Sequence, residues 1–134
     1  MQPHLDSFDH LVLTVADIPR SVQFYESVLG MIAKRFTPAD GTTRWALMFG
    51  SHKINLHQAG TEFEPKANRP TTGSADLCFL TENPLSEWQN HLAQQGVEVI
   101  EGPVPRTGAA GPLISIYLRD PDGNLLEISN NSMT

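Results

Sequence analysis

Long apolar runs are absent from this chain. The longest are short pieces such as "HLVLTV", far below the roughly 20 residues that a membrane-spanning helix requires. Cysteine is almost absent as well: the single Cys78 excludes an internal disulfide and suits a reducing compartment, so a cytoplasmic protein is expected. Basic residues are scarce, nine against fifteen acidic, which leaves a net charge of −6. That balance supplies no Lys and Arg cluster for nucleic acid or an anionic membrane surface, and neither is expected as a partner. The N-terminal "MQPHLDSFDH" lacks the charged lead and apolar stretch of a signal peptide. What remains is 134 residues, 40% apolar and only 18% charged, enough for one domain with a real core and order nearly throughout.

Periodicity supplies the elements. "FDHLVLTV", Phe8 to Val15, reads as a first strand. Asp17 caps a helix with Pro19 in its first turn and Gly30 as its stop; Ile18, Val22, Tyr25 and Leu29 form its buried stripe. "MIAKRFTP", "TTRWALMFG" and "HKINLHQ" follow as strands separated by turn signals. Residues 59–73 are polar and rich in proline and glycine, a connector or flap. The pattern then restarts: "ADLCFLT" as a strand, Asn83-Pro84 as cap and first turn, a stripe of Leu85, Trp88 and Leu92, and Gly96 as the stop. "VEVIEG", "LISIYL" and "NLLEIS" read as three further strands.

The two halves match as text. A shift of 66 residues carries His10 onto Asp76, Leu11 onto Leu77, Leu13 onto Phe79 and Gly30 onto Gly96, and a shift of 72 carries Asn55 onto Glu127. The expected architecture is therefore α+β: two tandem βαβββ modules, about 8–58 and 74–130, forming a curved mixed sheet around a cleft in a single domain. Because side chains alternate across a strand, His10 leaves the helix-facing side of the first strand together with Val12 and Thr14. Lys53, Asn55 and His57 share the far face of the fourth strand, Asp76 and Cys78 that of the fifth, and Glu127 and Ser129 that of the last. Curled together, such modules would gather His10, Asp76 and Glu127, with Asn55 or His57, on one concave surface. A buried carboxylate without partners is expensive, and imidazoles mixed with carboxylates form a borderline ligand set suited to Mn, Fe(II), Co, Ni or Zn.

Two stretches carry a resemblance. "DHLVLTVADIPRSVQFYESVLGM", with a histidine on its strand and an FYxxxLG helix end, and "YLRDPDGNLLEI", with an acid four residues after the glycine, resemble the vicinal oxygen chelate superfamily. That group includes glyoxalase I, bleomycin-resistance and fosfomycin-resistance proteins, and extradiol dioxygenases. "KINLHQAG", "EFEPKA", "GSADLCF" and "EGPVPRTG" are similar to its small virulence-associated, glyoxalase-domain-containing branch. The resemblance implies metal ligands on the first, fourth, fifth and eighth strands, here His10, Asn55 or His57, Asp76 and Glu127. It also implies a homodimer. The fifth-strand ligand is usually His and is Asp76 here; the fourth, often a carboxylate or glutamine in isomerases, falls on Asn55.

The implied function is a metal-dependent lyase or isomerase of glyoxalase type, whose small substrate chelates the cation through two oxygens. In it His57 is a fourth ligand or acid–base group, and Tyr117 a catalytic hydrogen-bond donor. Asn55, Arg106 and Arg119 are substrate contacts, with Arg106 as an anion clamp on a mobile loop. Two other classes compete. An Fe(II) ring-cleaving dioxygenase would need His57 as its second imidazole. A metal-free drug-binding protein of the bleomycin-resistance kind would use the acidic groove for a cation. Plainer roles stand beside each residue: turn formation for Asp76, cleft lining for His57, strand packing for Tyr117, a solvated Arg106, and a small buried hydrophobe at Cys78.

Overall fold

The elements form two strand–helix–strand–strand–strand passes in a computed structural model that describes residues 1–132. The first contains β1 (Leu11–Val15), α1 (Ile18–Ser27), β2 (Ile32–Phe36), β3 (Arg44–Phe49) and β4 (His52–Gln58). The second contains β5 (Asp76–Leu80), α2 (Leu85–Gln94), β6 (Glu101–Thr107), β7 (Pro112–Arg119) and β8 (Leu125–Asn131). They form two compact units that meet in sequence at Pro70–Thr71, inside the expected connector. Each unit is one mixed four-stranded sheet with one helix, ordered β1-β4-β3-β2 and β5-β8-β7-β6, an α+β tandem βαβββ arrangement.

The repeat extends to register. In the parallel pair β1–β4, Leu11 lies opposite Ile54 and Val12 opposite Asn55; in β5–β8, Leu77 lies opposite Leu126 and Cys78 opposite Glu127. Shifts of 66 and 72 residues convert the first set into the second without a slip. A one-residue slip would have sent every apolar side chain of β4 or β8 to the wrong face. Both helices end on a glycine with positive φ, Gly30 at 73° and Gly96 at 71°, a conformation that glycine adopts at little cost.

Each core lies between helix and sheet. Leu13, Val15, Leu47, Ile54 and Leu56 are buried in the first unit, with Tyr25 and Val28 from α1. Ile116, Leu118, Leu126 and Ile128 are buried in the second, with Leu85 and Leu92 from α2. The α1 stripe is rotated from its expected position. Ser21, Tyr25 and Val28 are fully buried, while Ile18, Val22 and Leu29 are half-buried, because the bulky Tyr25 takes the centre of the contact.

Three elements depart from the sequence reading. β1 starts at Leu11, not Phe8, so His10 precedes the strand. The strand expected at "VEVIEG" begins only at Glu101 and continues through Pro103 and Pro105, residues first assigned to a loop. Proline is admissible there because β6 is the sheet's edge and can leave donors unpaired. Finally, Asn83 does not cap α2. Pro84 occupies the cap position and makes no side-chain cap bond.

Candidate functional site

The missing cap comes from across the sheet, and the same device recurs in both units. Asn130, at the end of β8, accepts a bond from Leu85 N (3.1 Å) and donates to Thr81 O and Asn83 O. Gln58, at the end of β4, accepts from Ile18 N (3.2 Å) and donates to Ala16 O. Gln58 and Asn130 are themselves 72 residues apart, so repeat-related amides lock each fourth strand to the start of its helix. In the second unit the β7–β8 turn is equally constrained. The Asp120 carboxylate, 6% exposed, accepts from Asp122 N, Asn124 N and Asn124 Nδ2, and Asn124 Oδ1 accepts from Ala75 N at the start of β5. Asp76 and Glu127 are therefore presented from rigid backbone.

In the first unit the non-helix face carries Val12 and Thr14 on β1, Lys53, Asn55 and His57 on β4, and Arg44 and Ala46 on β3. His10 is half-exposed, with Nδ1 2.8 Å from the Asp9 carboxylate. The register separates the two imidazoles: Val12, two residues beyond His10, faces Asn55, whereas Thr14, four residues beyond it, faces His57. Four residues of strand rise about 13 Å, which sets His57 well apart from His10 along the pair. His57 is instead 8% exposed and edge-on to Phe63 from the connector (centroids 5.4 Å), which also stacks beneath Arg44 at 3.8 Å. Burial, then the Arg44 charge, hold its pKa below the usual 6.5 against the opposing Glu62. Asn55 Oδ1 is buried with no hydrogen-bond partner.

In the second unit Tyr117 lies opposite Glu127, Cys78 opposite Glu127 on the other side, and Ser115 opposite Ser129. Asp76 is one pleat away on the same face of β5 and is exposed. Glu127 is half-buried; its carboxylate accepts a long bond from Ser129 Oγ at 3.4 Å and also meets the Cys78 thiol. Ser129 also meets Ser115 Oγ at 2.6 Å and Cys78 Sγ at 3.3 Å. Cys78 is exposed rather than a buried hydrophobe. Partial burial pushes its thiol pKa up, Ser129 opposes this, and the neighbouring Glu127 and Asp76 charges raise it further. Arg119 is exposed and donates to Gly123 O.

Arg106 is not on a loop. It lies in β6, its Nε 2.8 Å from Tyr117 Oη and its Nη2 2.7 Å from Glu101 Oε2. Sequence reading missed Glu101 and Phe63 as members of these faces. The alternation of β7 and β8 already placed Ser115 and Ser129 beside Tyr117 and Glu127, whereas nothing local signalled Glu101 or Phe63. Of the candidate ligands, His10 belongs to the first unit and Asp76 and Glu127 to the second. Among the described residues no group of three His, Cys, Asp or Glu is close enough to hold an ion. No helix is long and apolar enough to cross a membrane.

Comparison with known proteins agrees with this scaffold. The family model described as Glyoxalase/Bleomycin resistance protein/Dioxygenase superfamily matches residues 7–128. Virulence protein STM3117 of Salmonella typhimurium is 56% identical over 96% of this chain and 87% of its own; its crystal structure has a TM-score of 0.88, covering 97% of this chain and all of that one. Glyoxalase domain-containing protein RDO1 of Mycosarcoma maydis is 53% identical over 92% of this chain and 68% of its own. A protein from the mobile metagenome of V. Pseudocholerae, VPC_CASS1, is 56% identical with a TM-score of 0.93, over 99% of this chain and 100% of that one.

Proposed function

Because the chain belongs to the glyoxalase/bleomycin resistance protein/dioxygenase superfamily, we propose that it is a metal-dependent lyase or isomerase of glyoxalase type, acting on a small substrate that offers two oxygens to a divalent cation. One observation carries this reading. The repeat-related fourth-strand positions, Asn55 and Glu127, both hold oxygen acceptors that the protein satisfies poorly: Asn55 Oδ1 has no partner, and Glu127 meets only soft or distant donors, Ser129 Oγ at 3.4 Å and the Cys78 thiol. Burial without a partner costs on the order of 1–3 kcal/mol, a cost that a bound cation or substrate donor would remove.

The donor set fits such an ion. One imidazole and two carboxylates are borderline ligands suited to Mn, Fe(II), Co, Ni or Zn. His10, Asp76 and Glu127 would hold it, and Asn55, rather than His57, would take the fourth-strand position. When bound, the ion supplies Lewis-acid stabilisation of an oxyanion. Tyr117, beside Glu127, donates to substrate oxygen, and Arg119 adds positive charge at the rim. His57, largely neutral at pH 7 through its lowered pKa, serves as a substrate-side proton acceptor. The ring-cleaving alternative loses support with the distance between His10 and His57, which deprives it of a second imidazole.

His10 lies in a different unit from the two carboxylates, and the edge strands expose Leu11 and Val12 on β1 and Leu80 on β5. The proposal therefore has a homodimer in which His10 of one copy meets Asp76 and Glu127 of a second. Distant relatives bear compatible names: metallothiol transferase FosB of Staphylococcus saprophyticus (28% identical) and lactoylglutathione lyase GLX1 of Arabidopsis thaliana (27%). Equilibrium dialysis of chelator-free protein against Ni(II), Mn(II), Zn(II) and Fe(II) is the test. About one tightly held ion per chain is expected, and no binding of any of them would leave the metal-free drug-binding reading in its place.

A further inference from the structure

We infer that Arg106 is a positioning residue that fixes the hydrogen-bond polarity of Tyr117, so that the phenol presents its proton to an oxyanion beside Glu127. The guanidinium is held on three sides: Nη2 by Glu101 Oε2 at 2.7 Å, Nη1 by Pro105 O at 2.9 Å, and Nε by Tyr117 Oη at 2.8 Å. Arginine has five donors, no acceptor, and does not deprotonate. Tyr117 Oη can therefore only accept from it, and its own proton must point elsewhere. On the polar face its cross-strand neighbours are Glu101 on β6, whose Oε2 is already taken by Arg106, and Glu127 on β8, and side chains so paired lie about 5 Å apart at Cβ.

The backbone builds this arrangement deliberately. The β6–β7 ladder slips between Glu101 and Val104, at Gly102, whose φ is 105° and whose Cβ, if present, would collide with Ser115 O. This bulge returns Glu101 to pair with Tyr117 while Arg106 approaches from further along the strand. A free arginine at the rim would clamp an anion directly. One already neutralised by Glu101 and bonded to Tyr117 acts through the phenol, which selects a substrate with an acceptor oxygen at that point: a carboxylate, hydroxamate or enediolate. The placement of substrate beside Glu127 rests on the function proposed above; the polarity of Tyr117 does not.

Two readouts separate these levels. In metal-free protein labelled with nitrogen-15 arginine, the Arg106 Nε–H signal is expected to exchange slowly with water in the wild type and rapidly in Tyr117→Phe. An unchanged signal overturns the inference. In Mn(II)-loaded protein, calorimetry with acetohydroxamate is expected to give about tenfold weaker binding for Arg106→Ala and for Tyr117→Phe, with the double variant no weaker than either, and partial recovery in Arg106→Lys. Glu101→Gln carries the sign that decides. Removing a negative charge tightens binding of an anion if Arg106 is a direct clamp, and weakens it if Arg106 positions Tyr117. Tighter binding, or multiplying losses in the double variant, overturns the inference. If wild-type protein takes up neither metal nor probe, the proposed function falls, and the Nε–H signal still decides the role of Arg106.

Discussion

The two units share a backbone plan and almost nothing on their polar faces. Residues 1–70 carry seven acidic and seven basic side chains and residues 71–134 eight and two, so the whole net charge of −6 resides in the second unit. Equivalent positions pair His10 with Asp76, Val12 with Cys78, Asn55 with Glu127 and Ala46 with Tyr117. What the units retain is scaffold: the Gly30 and Gly96 stops, the Gln58 and Asn130 locks and the parallel register. What differs is chemistry, with imidazole, amide and cationic groups on one face and carboxylates set beside Tyr117 and Arg106 on the other. Duplication thus fixed where side chains stand and left free what they are.

Substitutions at equivalent sites sharpen this contrast. Largest is the pair Glu127→Gln and Asn55→Ala. Loss of a supporting contact alone costs a metal site about 10- to 100-fold in affinity, so Glu127→Gln is expected to weaken Ni(II) or Mn(II) binding more than about 100-fold and Asn55→Ala by less, as read by calorimetry. Next, Gly102→Ala forces a Cβ onto Ser115 O at positive φ, and is expected to lower stability by at least about 2 kcal/mol in urea unfolding. Alanine at Gly41, which faces open space, pays only for its φ and should cost less. Third, Gln58→Ala and Asn130→Ala each remove one helix-start acceptor and are expected to cost about 1 kcal/mol, equally in the two units. A large inequality would break the structural equivalence.

The smallest effect is pH-dependent and belongs to the first unit. Since the folded pKa of His57 lies below the usual 6.5, the native chain binds that proton less readily than the unfolded one. Its contribution to stability is fully present above about pH 6.5 and is lost as pH falls through the folded pKa. His57→Gln is therefore expected to flatten the decline in melting temperature below pH 6.5, and a decline as steep as that of the wild type would contradict this.

Much of the scaffold was legible because its signals are local. Helix stops, apolar alternation and the spacing of the repeat all act within a few residues, and they place Cys78 and Glu127 each on the far face of its strand, opposite one another in the parallel pair. The failures are non-local. The helix locks join residues 40 and 45 positions apart, and nothing around Gln58 or Asn130 advertises them. β6 was hidden because proline usually excludes a strand, and only its place at the sheet's edge admits it. With β6 went Arg106, read as a free loop residue until Glu101 and Tyr117 were brought beside it. Cys78 was misjudged because its type is commonly buried, whereas its face of β5 is open. For the candidate site, alternation assigns side chains to faces, but strand rise, not alternation, separates His57 from His10.

Mixing His10→Gln protein with Glu127→Gln protein most directly tests whether an imidazole from one unit and a carboxylate from the other grip a single cation. Each variant alone is expected to bind almost no Mn(II). After subunit exchange, heterodimers holding one intact site should restore about a quarter of the wild-type capacity, since half the dimers are mixed and one of their two sites is whole. Wild-type affinity in either single variant would contradict the shared site outright.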